Sequence, residues 1–284
     1  MRRASTIQKE TEQITTVEDL TGVFESIAST QVAKIKNKVE MSKEFFRLLW
    51  QRYSSIRIDP KYRITNRKSE GTKKAFVIIS AEAGLSGDID QRLIEAMLQN
   101  YDQVTTDIIV LGSHGANQLK QRDIPFVRHF QVPESDSYLD VTPIIDAVAP
   151  YAKITIYYEE YISLGVQDIK TIDPISSMRA MSKETDEEDI MTSAETIFEP
   201  SLDEIAYQME ITMMSLVFSQ TILESSLAQD ASRFNAMAMA KKRAHELVSD
   251  YNLEYHRAKR SESDRRLREV MVSIKRKKRT KAKR

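Results

Sequence analysis

The last third of the chain, from Ser201 to Arg284, contains neither glycine nor proline. A continuous helix of that length runs to roughly 120 Å at about 1.5 Å per residue, several times the diameter of a small domain. Such a helix cannot bury its own apolar side chains. Ile205, Met209, Met213, Leu216, Leu223, Leu227, Phe234, Met237, Ala244, Leu247, Tyr251 and Tyr255 fall mostly three, four or seven apart, the spacing of a coiled-coil seam. A seam needs a second helix.

The other end of the chain supplies one. From Met1 to Tyr53 there is one glycine, Gly22, and the first proline is Pro60. Ile14, Val17, Leu20, Phe24, Ile27, Ile35, Val39, Phe46, Leu49 and Tyr53 keep helical spacing. Six of the seven glycines and all seven prolines lie between Pro60 and Pro200, so the turns of a compact domain belong to the middle. The organisation expected is a coiled-coil helix over 1–59, an α/β domain over 73–180, an acidic linker and edge strand over 181–200, and a second coiled-coil helix over 201–284 with a basic tail. Helices at the two termini, joined through one domain, pair antiparallel.

Within the middle, Lys74 to Ser80 reads as a buried strand entering a tight turn, Ala-Glu-Ala-Gly-Leu-Ser-Gly-Asp. Asp88 or Ser86 is placed to cap a helix through Ile89, Leu93, Ile94, Met97 and Leu98. Asp107 to Leu111, closed by Gly112, is a second strand, residues 126–132 a third, and Lys153 to Ile162 a fourth. Tyr138 to Val148 reads as a helix despite Pro143. Strand and helix alternate, which points to a small Rossmann-like α/β sheet. Thr196 to Phe198 adds an edge strand before Pro200 opens the long helix, where proline is tolerated.

The chain has no cysteine, which excludes disulfides, thiolate metal sites and a cysteine nucleophile. The turn at Ala83 to Asp88 follows a strand but has neither G-x-G-x-x-G order nor Gly-Lys-Ser/Thr, so it reads as structural and not as a phosphate loop. His114, His129, His245 and His256 show no metal-ligand spacing, and no nucleophile stands with a base. No catalytic residue, metal site or cofactor is expected in this chain. The longest apolar runs are far too short to span a bilayer. Forty-two basic residues balance 42 acidic ones, yet acids crowd Glu184, Asp186, Glu187, Glu188 and Asp189 while Lys275 to Arg284 is almost wholly basic. The tail reads as a flexible solvated extension; a second reading makes it a nucleic-acid contact, without interleaved aromatics for stacking.

Three stretches in order resemble the gamma subunit of F-type ATP synthases, the central rotor shaft: Leu20 to Val32, Val77 to Asp90, and the segment from Phe198 onward. The last is the most specific, with Glu224-Ser225, Arg233, Ala236-Met237, Tyr255, Arg257-Ala258, Leu267 and Glu269. The resemblance implies an antiparallel coil of both termini on a small α/β domain, seated off-axis in a hexamer of catalytic and non-catalytic subunits. It implies a non-catalytic shaft, peripheral at the cytoplasmic face of the membrane, with Mg-ATP held by partner subunits and the foot on a membrane c-type ring and an epsilon-type subunit. By that resemblance Arg257, Lys259, Arg260, Asp264 and Glu269 meet the hexamer, with Leu20, Thr21, Phe24 and Ser26 facing the same region from the first helix. Phe198 and Glu199 meet the ring and the epsilon-type subunit. No nucleic acid is expected; the alternatives are a ribosome- or nucleic-acid-associated coiled coil, and the shaft of a specialised ATPase not coupled to ion flow.

Overall fold

The computed structural model describes residues 2–54, 73–132, 140–174 and 201–281. The strand expected at Thr196 to Phe198, the acidic run from Glu184 to Asp189, and Phe198 and Glu199 lie outside them. The chain divides into two compact units, Met1–Ser26 with Ala236–Arg284, and Ile27–Asn235. Two long helices, α1 (Ala4–Ser54) and α5 (Leu202–Lys281), contribute to both.

In the larger unit a five-stranded sheet has the order β3-β2-β1-β4-β5. Strands β1 (Lys74–Ile79), β2 (Thr106–Leu111), β3 (Arg128–Phe130) and β4 (Lys153–Ser163) are parallel, and β5 (Val166–Ile172) runs antiparallel at the edge. The strand side chains alternate between two cores. Phe76, Ile78, Ile108, Val110 and Tyr157 pack with Leu93, Ile94, Met97 and Leu119 of α2 (Ile89–Leu98) and α3 (Ser113–Gln121). Val77, Ile79, Ile109, Leu111, Ile154 and Ile156 pack with Ile144 and Val148 of α4 (Thr142–Val148) and with Phe218 and Ile222 of α5. Burial on both faces explains why these strands are continuous apolar runs. The segment of α1 in this unit packs Ile35 and Val39 on Leu227, and Lys43 meets Glu224 at 3.0 Å.

Three sequence expectations change here and two elements are added. Tyr138, where a helix was read to start, lies outside the described residues; the described helix runs from Thr142, with Pro143 in its first turn, where its missing N–H costs nothing. Asp88 holds the N-cap position of α2 but makes no side-chain capping hydrogen bond, and the Ser86 hydroxyl donates to Asp90 at 2.8 Å instead. Helix α3 and strand β5 carry weak apolar patterns and went unread, α3 because only Ala116 and Leu119 mark its buried face. The basic tail, read as flexible, is helical as far as Lys281, in keeping with the high helix propensity of Lys and Arg.

Candidate functional site

The smaller unit pairs the start of α1 with the end of α5. Side chains that turn inward along α1 follow a strict three-four rhythm: Ala4, Ile7, Thr11, Ile14, Glu18, Thr21 and Glu25. Against them α5 presents Met237, Ala244, Val248, Tyr251, Tyr255, Ala258 and Glu262. Antiparallel pairing is set by three polar links. The Ala4 backbone N–H donates to Glu262 at 3.1 Å, His245 Nδ1 lies 3.0 Å from Glu18, and Lys241 Nζ donates to Glu25 at 2.9 Å.

This seam is not the one that apolar spacing suggests. Val17, Leu20, Val23 and Phe24 all face outward, with Leu20 52% and Phe24 39% exposed, while Thr21 between them is 9% exposed. Thr21 turns into the seam and donates its hydroxyl to the Glu18 carbonyl at 2.9 Å. On α5 likewise, Leu247 is exposed and Val248 takes the inward place. The seam therefore mixes apolar contacts, Ile7 and Met237 among them, with polar ones, while Val17, Leu20, Val23, Phe24 and Leu247 stay outside, an arrangement that a helix pair built to stand alone would not favour.

Arg257, Lys259, Arg260, Asp264 and Glu269 are all exposed. Lys259 Nζ lies 5.5 Å from the Tyr255 ring centroid, and Arg265 lies 3.8 Å from Glu269 one turn on. These residues do not share a level with Leu20, Phe24 and Ser26 as expected. Pairing of Ala4 with Glu262 and of Glu25 with Lys241 sets the centres of the two groups about twenty residues of helix apart, roughly 30 Å. They lie at two levels of the helix pair. A third feature escaped the sequence reading: beyond Glu262, which meets Ala4 at the start of α1, Leu267, Val270, Met271 and Ile274 are exposed at helical spacing of three, one and three. Their signal was an apolar stripe after the seam had ended.

Surface changes here are expected to leave folding intact. The pair Leu20→Ser and Phe24→Ser should shift unfolding of the isolated chain by no more than about 0.5 kcal/mol, because neither side chain is buried; denaturant melts check it. Gly22 sits mid-helix, and an added Cβ would rest 3.5 Å from Lys241 Cε, an ordinary contact. Gly22→Ala should therefore stabilise by roughly 0.5–1 kcal/mol, by removing backbone freedom from the unfolded chain.

The larger unit has the place where an α/β fold usually takes a ligand, the carboxyl ends of β1 and β4, where the crossovers diverge to the two faces. Here protein fills it. Ser225 of α5 reaches the Ile79 carbonyl at 3.2 Å and Glu159 at 3.0 Å, and the Ser232 hydroxyl donates to the Ser86 carbonyl at 2.6 Å. The amino end of α3 is capped by Glu82, which accepts from the Ser113 N–H at 3.2 Å. The glycine turn wraps the Asp90 carboxylate, with Leu85 and Gly87 left-handed at φ 70° and 73°. Among the described residues no group of three or more His, Cys, Asp or Glu is arranged to hold a metal ion, and no helix is long and apolar enough to cross a membrane.

A family model described as ATP synthase matches residues 3–274. The ATP synthase gamma chain of Clostridium novyi (strain NT) is 22% identical over 276 residues, covering 93% of this chain and 95% of the relative. That of Staphylococcus aureus (strain JH9) is 24% identical over 213 residues, covering 70% and 72%. Among solved structures, the rotor of the Euglena gracilis mitochondrial ATP synthase in rotational state 1 is similar at a TM-score of 0.61 and 15% identity, covering 90% of this chain and 98% of that one. A second structure of that enzyme, in rotational state 3, gives 0.65 at 13% identity, covering 95% and 94%. At these identities the structural likeness speaks for the fold.

Proposed function

The chain belongs to the ATP synthase gamma family, and from that premise we propose how its surface does the family's work. It is the central rotor shaft of a rotary ATPase, transmitting torque between a catalytic hexamer and a membrane c-type ring. One observation carries the reading beyond the match itself: the two-helix unit puts Val17, Leu20, Val23 and Phe24 outside and keeps Glu18, Thr21 and Glu25 within. A free-standing helix pair gains nothing from that arrangement. A shaft enclosed by other subunits gains roughly 1.5–3 kcal/mol for each large apolar side chain fully covered.

A shaft acts without chemistry of its own. Each surrounding subunit meets a different strip of an asymmetric surface, and those differential contacts bias its conformation, the only way a partner shifts such an equilibrium. Two zones serve this purpose here, Leu20 to Ser26 and Arg257 to Glu269, at different levels. Long-range charge from Arg257, Lys259 and Arg260 steers acidic loops, and the exposed apolar stripes give grip once water is excluded. Phe198 and Glu199 remain our assignment for the epsilon-type subunit and the ring, by resemblance. The reading makes the chain a non-catalytic subunit, peripheral to the membrane, with Mg-ATP on its partners.

The absence of cysteine makes the test clean, since Val104→Cys places a single label on an exposed loop of the larger unit. Assembled with its hexamer and supplied with Mg-ATP, the labelled chain should turn in one direction, and the chain alone should leave ATP intact. A label that never turns while ATP is consumed, or hydrolysis by the chain alone, overturns the proposal. In the same assembly the pair Leu20→Ser and Phe24→Ser should weaken retention of the shaft at least tenfold, about 1.4 kcal/mol.

A further inference from the structure

We infer that the buried carboxyls Asp90 and Glu159 hold one negative charge between them, on Asp90, and that the proton kept by Glu159 is a working part of the joint fastening α5 to the sheet. Both side chains are completely buried in the larger unit. Their donors are unequal. Asp90 accepts from the Ala81 N–H at 2.9 Å and the Ser86 hydroxyl at 2.8 Å, and His114 Nδ1 lies 2.9 Å from it. Glu159 Oε2 faces the Ser225 hydroxyl at 3.0 Å, and its Oε1 has no donor among the described residues. Two carboxyls in such different surroundings do not both ionise; the better-hydrogen-bonded one takes the charge.

Counting protons at Ser225 leads to the same place. Its one hydroxyl hydrogen lies within reach of two acceptors, the Ile79 carbonyl at 3.2 Å and Glu159 Oε2, while Gln229 Nε2 donates to its oxygen at 3.1 Å. With Glu159 protonated all three links stand together. Glu159 donates to Ser225, Gln229 donates to Ser225, and Ser225 donates to Ile79, using its hydrogen and both lone pairs. When Glu159 ionises, releasing its proton to solvent, Ser225 must turn its hydrogen toward the carboxylate and Ile79 loses that donor. The grip of α5 on the end of β1 then slackens.

The charged groups around Glu159 set the direction. Burial and the Asp90 charge hold its carboxyl well above the usual range, against the opposing pull of the nearby Gln229 amide and Ser225 hydroxyl of α5 and a weaker one from Arg92 of α2. His114 of α3 acts through Asp90. For a carboxyl raised in the folded state, the fold holds one more proton than the unfolded chain between the two pKa values. Its stabilising contribution is complete below the unfolded value and fades as pH rises toward the folded one.

Unfolding of the full chain, followed by denaturant from pH 5 to pH 9, tests this in wild type and Glu159→Gln, whose amide keeps a donor for Ser225. In wild type the unfolding constant should rise by up to tenfold per pH unit in that window, and Glu159→Gln should remove that slope. Equal slopes in the two proteins overturn the inference. Should the variant fail to fold, infrared spectra of wild type carrying labelled glutamate decide: a protonated-carboxyl band at neutral pH supports the inference, and a folded protein without one overturns it.

Discussion

A chain ending at Tyr255 should still let its hexamer hydrolyse ATP but should lose transmitted rotation, with turns per ATP falling at least tenfold. The truncation removes the Glu262 carboxylate that accepts from the Ala4 N–H, so α1 loses the cap on its first turn. It also removes Arg257, Lys259, Arg260, Asp264 and Glu269, and the outward stripe of Leu267, Val270, Met271 and Ile274. Four such side chains contribute up to roughly 6–12 kcal/mol when fully covered, before the entropic cost of association. Rotation of a label at Val104→Cys, counted against ATP consumed, measures the loss. A second protein separates grip from charge: serine at the four stripe positions keeps every charge and should reproduce most of the defect. Undiminished turns per ATP in both would remove the assigned role of the distal helix.

Gly112→Ala is expected to cost the larger unit about 3 kcal/mol or more and to lower the yield of folded chain. Gly112 lies between β2 and α3 at φ 96°, in backbone space that side chains rarely enter, and an added Cβ would lie 2.1 Å from the Ser80 carbonyl oxygen. The neighbour is backbone at the end of β1, hydrogen-bonded through Ser80 N–H to Leu111 at 2.9 Å, so it cannot step aside cheaply. Gly115 is tight for a related reason: its N–H donates to Ser80 Oγ at 3.1 Å, and a Cβ there would come within 2.3 Å of that atom. Denaturant unfolding, with Gly22→Ala as the opposite control, measures both. A melt of Gly112→Ala matching wild type would mean that β1 and α3 do not meet this closely.

Part of this architecture is legible in the sequence. Two stretches free of proline and nearly free of glycine are long helices because nothing in them interrupts backbone hydrogen bonding, and α1 and α5 follow directly. The apolar runs at Lys74 to Ile79 and Asp107 to Leu111 mark strands covered on both faces, since only such strands need no polar alternation. Strand β5 was missed because Gln167, Asp168, Lys170 and Thr171 break its apolar pattern at an exposed edge, although Leu164-Gly165 is a two-residue hairpin signal.

What the sequence by itself determined is where helices and strands run, because those depend on local torsional freedom and on the period of apolar residues. Which face of α1 turns inward is a different matter. Val17, Leu20, Phe24 and Ile27 keep the same three-four rhythm as Ile14, Glu18, Thr21 and Glu25, and the first set is the more apolar. Periodicity alone selects it. Tertiary structure decided for the second, because Ala4 against Glu262, Glu18 against His245 and Glu25 against Lys241 meet only in that rotation. The same holds for Glu159, an ordinary glutamate in a strand until Ser225, 66 residues away in the chain, is folded onto it. Pairing between distant segments sets burial, and burial sets both what a partner can touch and where a proton stays.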